Sequence, residues 1–172
     1  MGPAGAEIEI DAPRGQVFEA IADLARRSSF TDHFLTGFHL TRIESSGLGA
    51  GARFRVAQPL RSAWMDTVIT ELEPHHRIVE RGRGGRGNRI PVTTIWELTE
   101  AGGSLTRVRV SQWTEPSNPI DKAVEAMSGA SFWQQRGWSE ALRRLRDQLE
   151  SGERSPAPVA LAGGNPHATG IP

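Results

Sequence analysis

The side chains with most chemical scope in this sequence are polar residues set into apolar patterns, and Ser131 and Gln134 stand out among them. Ile120, Val124, Met127, Ser131, Gln134, Trp138, Leu142, Leu145 and Leu149 recur at steps of three and four, the spacing of one helix face. Ser131 and Gln134 interrupt that face midway along it. A hydroxyl or amide buried without a partner costs about 1–3 kcal/mol. These two groups therefore call for water, a ligand or a polar neighbour, and the pattern predicts that they line a pocket with Met127 and Trp138.

Strand patterns supply the facing wall. Phe54, Val56 and Gln58 alternate with Arg53 and Arg55, while Thr94, Trp96 and Leu98 alternate with Ile95 and Glu97. Val108, Val110 and Gln112 alternate with arginines in the same way. The inner faces so defined put Gln58, Thr94 and Gln112 among apolar lining residues that include Phe54, Val56, Trp96 and Val110. Residues 63 to 73 allow two parities, and the preferred one turns Trp64, Asp66, Val68 and Leu72 inward. An inward Asp66 would have its pKa raised by desolvation and would be the candidate general acid or base; a position at the edge or mouth is the stronger reading. No catalytic residue is assigned beyond that candidate. Trp96, Trp133 and Trp138 offer aromatic faces to a flat ligand, although Trp138 also reads as core and Trp133 lies off the helical stripe.

Other chemistries find less support. His33, His39, His75, His76 and His167 show no metal-binding spacing such as HExxH, and no serine stands in a nucleophile-elbow pattern, so neither a metal site nor a cofactor is expected. The stretch RGRGGRGNR, with Arg81, Arg83, Arg86 and Arg89, resembles a short RGG segment that could contact phosphates or a protein partner. It reads better as a hairpin loop in a chain whose only lysine is Lys122, and no aromatic residue interleaves it.

The elements that must hold these groups follow from periodicity. AEIEIDA, residues 5 to 11, alternates as a strand, and Val17, Phe18, Ile21 and Leu24 mark a short helix for which Asp11 is the expected cap. The polar stretch 26 to 32 reads as a second, irregular helical turn. Segments 38–45, 52–59, 63–73, 76–82, 91–99 and 104–114 read as six further strands, and their short links imply antiparallel neighbours. Asn118 and Pro119 then begin a long helix, which Gly152 and Pro156 end. At about 1.5 Å per residue it would reach roughly 45 Å, against roughly 33 Å for a ten-residue strand. Laid on a twisted, curled sheet, such a rod leaves a gap beneath its middle.

This order of elements resembles the START-like helix-grip superfamily, also called SRPBCC, and in particular its polyketide cyclase/dehydrase-like branch. The resemblance covers residues 5 to about 150 and rests on IEIDAPRGQVFEAIADL, GLGAGARFRV, VITELEPHHRIVER and TTIWELTEAGGSLTRVRV in that order and spacing. It implies an α+β helix-grip fold, with a seven-stranded curved antiparallel sheet around a long C-terminal helix and two short helices after the first strand. It further implies binding of apolar or aromatic molecules such as lipids and polyketides, with catalysis in only some branches. It carries over no catalytic residue.

Composition sets the bounds. The chain has 172 residues, 37% hydrophobic and 23% charged, with 20 basic residues balancing 20 acidic ones. One domain over residues 1–150 is expected, followed by a flexible Pro/Gly/Ala-rich tail over 151–172 in which Val159 to Leu161 is the only docking candidate. Zero net charge gives no general attraction to nucleic acid or anionic membrane. Without cysteine, disulfides and thiolate metal sites are excluded, and a reducing cytoplasm is the natural compartment. MGPAGAEIEI lacks the pattern of a secretion signal, and no apolar run approaches the roughly 20 residues that span a bilayer, so membrane insertion is not expected. The sequence thus points to a cytoplasmic binder of a small hydrophobic or aromatic molecule. A cyclase/dehydrase-type enzyme using the same cavity is the alternative, and a protein-interaction module the second.

Overall fold

Alternating apolar residues require a sheet with one buried face, and seven strands satisfy that requirement. The computed structural model describes residues 3–58, 61–119, 123, 129–151 and 160–161. In chain order the elements are β1 (Ala4–Asp11), α1 (Arg14–Ala22), α2 (Leu24–Thr31), β2 (Leu35–Leu40), β3 (Gly51–Gln58), β4 (Arg61–Glu73) and β5 (Arg77–Gly84). A 3-10 turn at Arg86–Asn88 precedes β6 (Ile90–Gly102), β7 (Leu105–Thr114), α3 (Ala130–Ser151) and the two-residue β8 (Ala160–Leu161). The sheet order is β1-β7-β6-β5-β4-β3-β2-β8. β1 to β7 pair antiparallel throughout, and β8 adds in parallel to β2 through His39 and Leu40. This is the α+β helix-grip architecture that the element order predicts, and no helix among the described residues is long and apolar enough to cross a membrane.

The helix α3 runs against β1 and α2. Trp138, Ala141, Leu142 and Leu145 lie buried on its inner side, meeting Ile10, Ile21, Leu24 and Phe30 in one core with the inner faces of the strands. Polar ties fix its direction. The Asp11 N–H donates to Glu150 at 3.0 Å, Gln148 donates to the Ser29 carbonyl at 3.0 Å, and Arg144 pairs with Asp32 at 2.7 Å. Gly137 faces Phe34 so closely that a Cβ there would lie 2.6 Å from the ring. The glycine costs about 1 kcal/mol of helix propensity relative to alanine, and close approach of α3 to Phe34 is what its lack of a side chain permits.

Several elements differ from the sequence reading. The long helix does not run unbroken from Asn118, because Gly129 has φ of 61°, a left-handed conformation that no right-handed helix accommodates. The Gly129 carbonyl instead accepts from the Trp133 N–H at the start of α3, whose 22 residues span about 33 Å. Asp11 does not cap α1, whose N-cap position is Pro13; its carboxylate accepts from Ser104. The side-chain cap belongs to α2, where Asp23 accepts from the Ala25 N–H at 3.0 Å. Stretch 26 to 32 falls largely within a regular helix. β2 covers 35–40 rather than 38–45, since Ser45 leaves the sheet to accept from the Leu24 N–H at 2.7 Å.

Candidate functional site

Gln134 sits on the inner side of α3, one turn before Trp138, with 8% of its surface exposed. Its amide makes no hydrogen bond with any described residue and keeps some accessible surface, since the fully enclosed unpaired side-chain atoms among the described residues are Arg27 Nε, Ser28 Oγ and His33 Nδ1. Ser131, a turn earlier and half-buried, also lacks a described partner. These are the two polar positions that interrupt the helical stripe.

Next to them the sheet presents polar groups that are satisfied. Gln112 on β7 donates to Thr94 on β6 at 3.0 Å, and its carbonyl accepts from the Trp138 indole N–H at 3.3 Å. Both strand residues are paired in register. Trp138 in turn meets Trp96 edge-on, with ring centroids 5.2 Å apart, and Phe34 at 5.0 Å. Thr94, Gln112, Trp96 and Trp138 therefore form one fixed wall, and Val110, Phe54 and Val56 are buried on the same side of the sheet. Phe54 stacks on Phe38 with ring centroids 5.6 Å apart.

Deeper under the helices lies a charge pair that the sequence reading missed. Arg27 of α2 donates to Glu80 of β5 at 2.5 Å, and both side chains are only 3% exposed. Glu80 also accepts from the Trp96 indole at 2.9 Å and from the Thr67 hydroxyl at 3.3 Å. Arg27 makes a second bond to the Ile21 carbonyl at 2.6 Å and lies 5.0 Å over the Trp96 ring, yet its Nε has no partner. The available signal was parity: Glu80 shares the inward register of Ile78, and Arg27 follows Leu24 by three.

β4 corrects the preferred parity. Met65, Thr67 and Ile69 point inward, while Trp64 is exposed. Asp66 and Val68 lie on the outer face, where Asp66 pairs with Arg53 at 3.5 Å and accepts from Asn88 at 2.8 Å. A bulge between Ile69 and Glu71 then shifts the alternation, which returns Leu72 to the core. Asp66 is therefore withdrawn as a candidate acid or base and Val68 as a lining residue. The side chain of Gln58 and all of Met127 lie outside the described residues.

On the far side of Phe34 a cleft of about 620 Å3 is lined by His33, Phe34, Ala57 and, from α3, Trp133, Arg136, Gly137, Ser139, Glu140 and Arg143. The His33 Nε2–H donates to the Gly137 carbonyl at 3.1 Å, leaving Nδ1 buried without a partner. Burial holds the His33 pKa below its ordinary 6.5, the Gly137 bond opposes this, and Arg144 adds to the lowering. The unfolded chain thus binds a proton more readily than the fold does. This contribution to stability is present above about pH 6.5 and is lost as pH falls through the lowered folded value. Urea denaturation between pH 7 and 5 should show wild type losing more stability than His33→Gln; parallel curves would contradict the assignment.

The family model described as "Polyketide cyclase / dehydrase and lipid transport" matches residues 4–150. No curated protein matches the chain significantly. Among solved structures, TTHA0849 from Thermus thermophilus superposes with a TM-score of 0.70 at 16% identity, covering 88% of this chain and 99% of that one. A START superfamily protein from Mycobacterium smegmatis gives 0.62 at 12% identity, covering 89% and 100%. DynU16, a protein of the dynemicin biosynthetic locus, gives 0.58 at 22% identity, covering 94% of this chain and 51% of that one. At these identities the likeness is one of fold.

Proposed function

This chain belongs to the polyketide cyclase/dehydrase and lipid transport family, and from that premise we propose that it binds a small apolar or aromatic molecule, such as a lipid, a polyketide or a related metabolite, between the sheet and α3. The observation that carries this reading is Gln134, a side chain only 8% exposed whose amide makes no hydrogen bond with a described residue, on the side of α3 that carries Trp138. A guest with one hydroxyl or carbonyl would satisfy the amide and lay its apolar body along Trp138, Val110 and the rest of that wall. Ser131 stands one turn away as a second polar contact. The unit that would do this is residues 1–150, with Ala160–Leu161 beyond it paired to β2, and the cysteine-free composition suits a cytoplasmic setting.

A binding role is favoured over the cyclase reading by the state of the carboxylates. Asp66 faces outward, and Glu80 is engaged by Arg27, Trp96 and Thr67. An acid so occupied is poorly placed to move protons on a substrate. The interaction-module reading gains nothing, because Arg81 is tied to Glu71 at 3.1 Å and Asn88 holds the loop to Asp66.

Native mass spectrometry of protein purified from its source should show a bound small molecule that denaturation releases. In Gln134→Leu the affinity for the co-purified molecule should drop roughly tenfold, the equivalent of 1.4 kcal/mol. Ser131→Phe should reduce occupancy by filling space. Unchanged binding in both variants would remove the reading.

A further inference from the structure

The cleft outside Phe34 has its own chemistry, independent of the binding proposed beside Gln134. Phe34 is itself buried and meets Trp138 edge-on, so the two rings separate the cleft from the inner wall. Trp133, Arg136, Gly137 and Glu140 are spaced i, i+3, i+4 and i+7 and present one side of α3 to it. Gly137 contributes backbone alone, which opens the floor down to the Phe34 ring. The aromatic surfaces are thus the buried ring of Phe34 and Trp133, which is 40% exposed. A volume of about 620 Å3 suits a small organic molecule.

The charges around the cleft are mostly spoken for. Glu140 is held by Arg143 at 2.7 Å and by Arg144 at 3.0 Å, and these bonds lower its pKa to about 2. Arg143 also pairs with Asp147 at 3.0 Å, and Arg144 with Asp32 at 2.7 Å. Arg136 differs from both, since no carboxylate of a described residue lies within ion-pair distance of it. Among the described residues it is a guanidinium without a counter-ion, three residues from an exposed tryptophan and at the rim of an aromatic-floored cleft. Guanidinium and carboxylate match as a two-pronged hydrogen-bonded pair, and flat rings match Trp133 and Phe34.

We propose that this cleft is a second binding site, for a small aromatic carboxylate whose ring lies between Trp133 and Phe34 and whose carboxylate meets Arg136. The carboxylate supplies the charge that Arg136 lacks, and Glu140, kept ionised by its arginines, turns away ligands with a second negative group on that side. The site does not depend on the binding proposed beside Gln134.

The test is a titration of the full chain with 2-naphthoate and, separately, with 2-naphthalenemethanol, followed through the five indole N–H signals by 1H–15N NMR. The indole of Trp133 should move with 2-naphthoate while those of Trp64, Trp96 and Trp113 stay in place. The acid should bind at least tenfold more tightly than the alcohol. Arg136→Gln, a change at an exposed helix position, should erase that difference, and Gln134→Leu should leave it intact. A stationary Trp133 signal at millimolar probe, equal binding of acid and alcohol, or wild-type affinity in Arg136→Gln would each overturn the proposal. Movement of the Trp96 signal in place of Trp133 would also overturn it, by placing the acid against the inner wall, and would leave the reading based on Gln134 standing.

Discussion

Glu80→Ala should lower the stability of this protein by about 3–5 kcal/mol, the cost of breaking a buried ion pair from one side. At about 2–4 °C per kcal/mol for a domain of this size, the thermal midpoint should fall by roughly 10 °C. The loss comes mainly from what is left behind. Arg27 would keep a buried charge with only the Ile21 carbonyl to bond, its Nε being unpartnered already. The Trp96 indole and the Thr67 hydroxyl would lose their acceptor too. Replacing both charges together, as Arg27→Met with Glu80→Leu, should cost far less and can be neutral, because desolvating two ions offsets much of their mutual attraction. Urea unfolding of the two single variants and the double variant checks this. A single-variant cost below about 1 kcal/mol, the level of an exposed pair, would contradict the burial of the network.

Trp138→Ala should be about as damaging, at about 3–5 kcal/mol. The ring sits between Phe34 and Trp96, so its removal opens a cavity between α3 and the sheet. The Gln112 carbonyl would also lose its only described donor. Trp138→Phe separates the two effects: it keeps most of the volume and removes the N–H, so about 1–3 kcal/mol should remain. Equal losses in the two variants, measured by urea unfolding, would mean that packing contributes nothing there.

The parts of this fold that were legible in the sequence are those where local pattern and long-range packing agree. β3, β6 and β7 bury one face, so Val56, Trp96 and Val110 alternate with polar residues and their direction can be read from parity alone. β4 defeats that reading because its bulge changes the alternation partway along: Leu72 is correctly read as inward, whereas Trp64, Asp66 and Val68, before the bulge, point out. The helical stripe fixes the inner side of α3 and the burial of Gln134, since spacing of three and four decides which residues share a face. It could not show that the helical path is broken at Gly129, because side-chain spacing on either side of a break does not report a single backbone angle.

Arg27 and Glu80 were hidden for a different reason. Each looks like an ordinary surface residue within its own segment, and only the fold brings together two residues 53 positions apart in a place that excludes water. The cleft of Trp133 and Arg136 is half visible in the sequence. Trp133 reads as an aromatic face off the helical stripe, but the floor it shares with Phe34 depends on Gly137 and on how α2 leads into β2.

The central claim is that the Gln134 amide faces a hollow that a guest occupies. The most direct measurement is a crystal structure of protein purified from its source with no ligand added. The account predicts density for a bound molecule along Trp138 and Val110, with a polar atom of that molecule about 3 Å from the Gln134 amide. A Gln134 amide bonded to protein side chains, with the space before it filled by them, would contradict it.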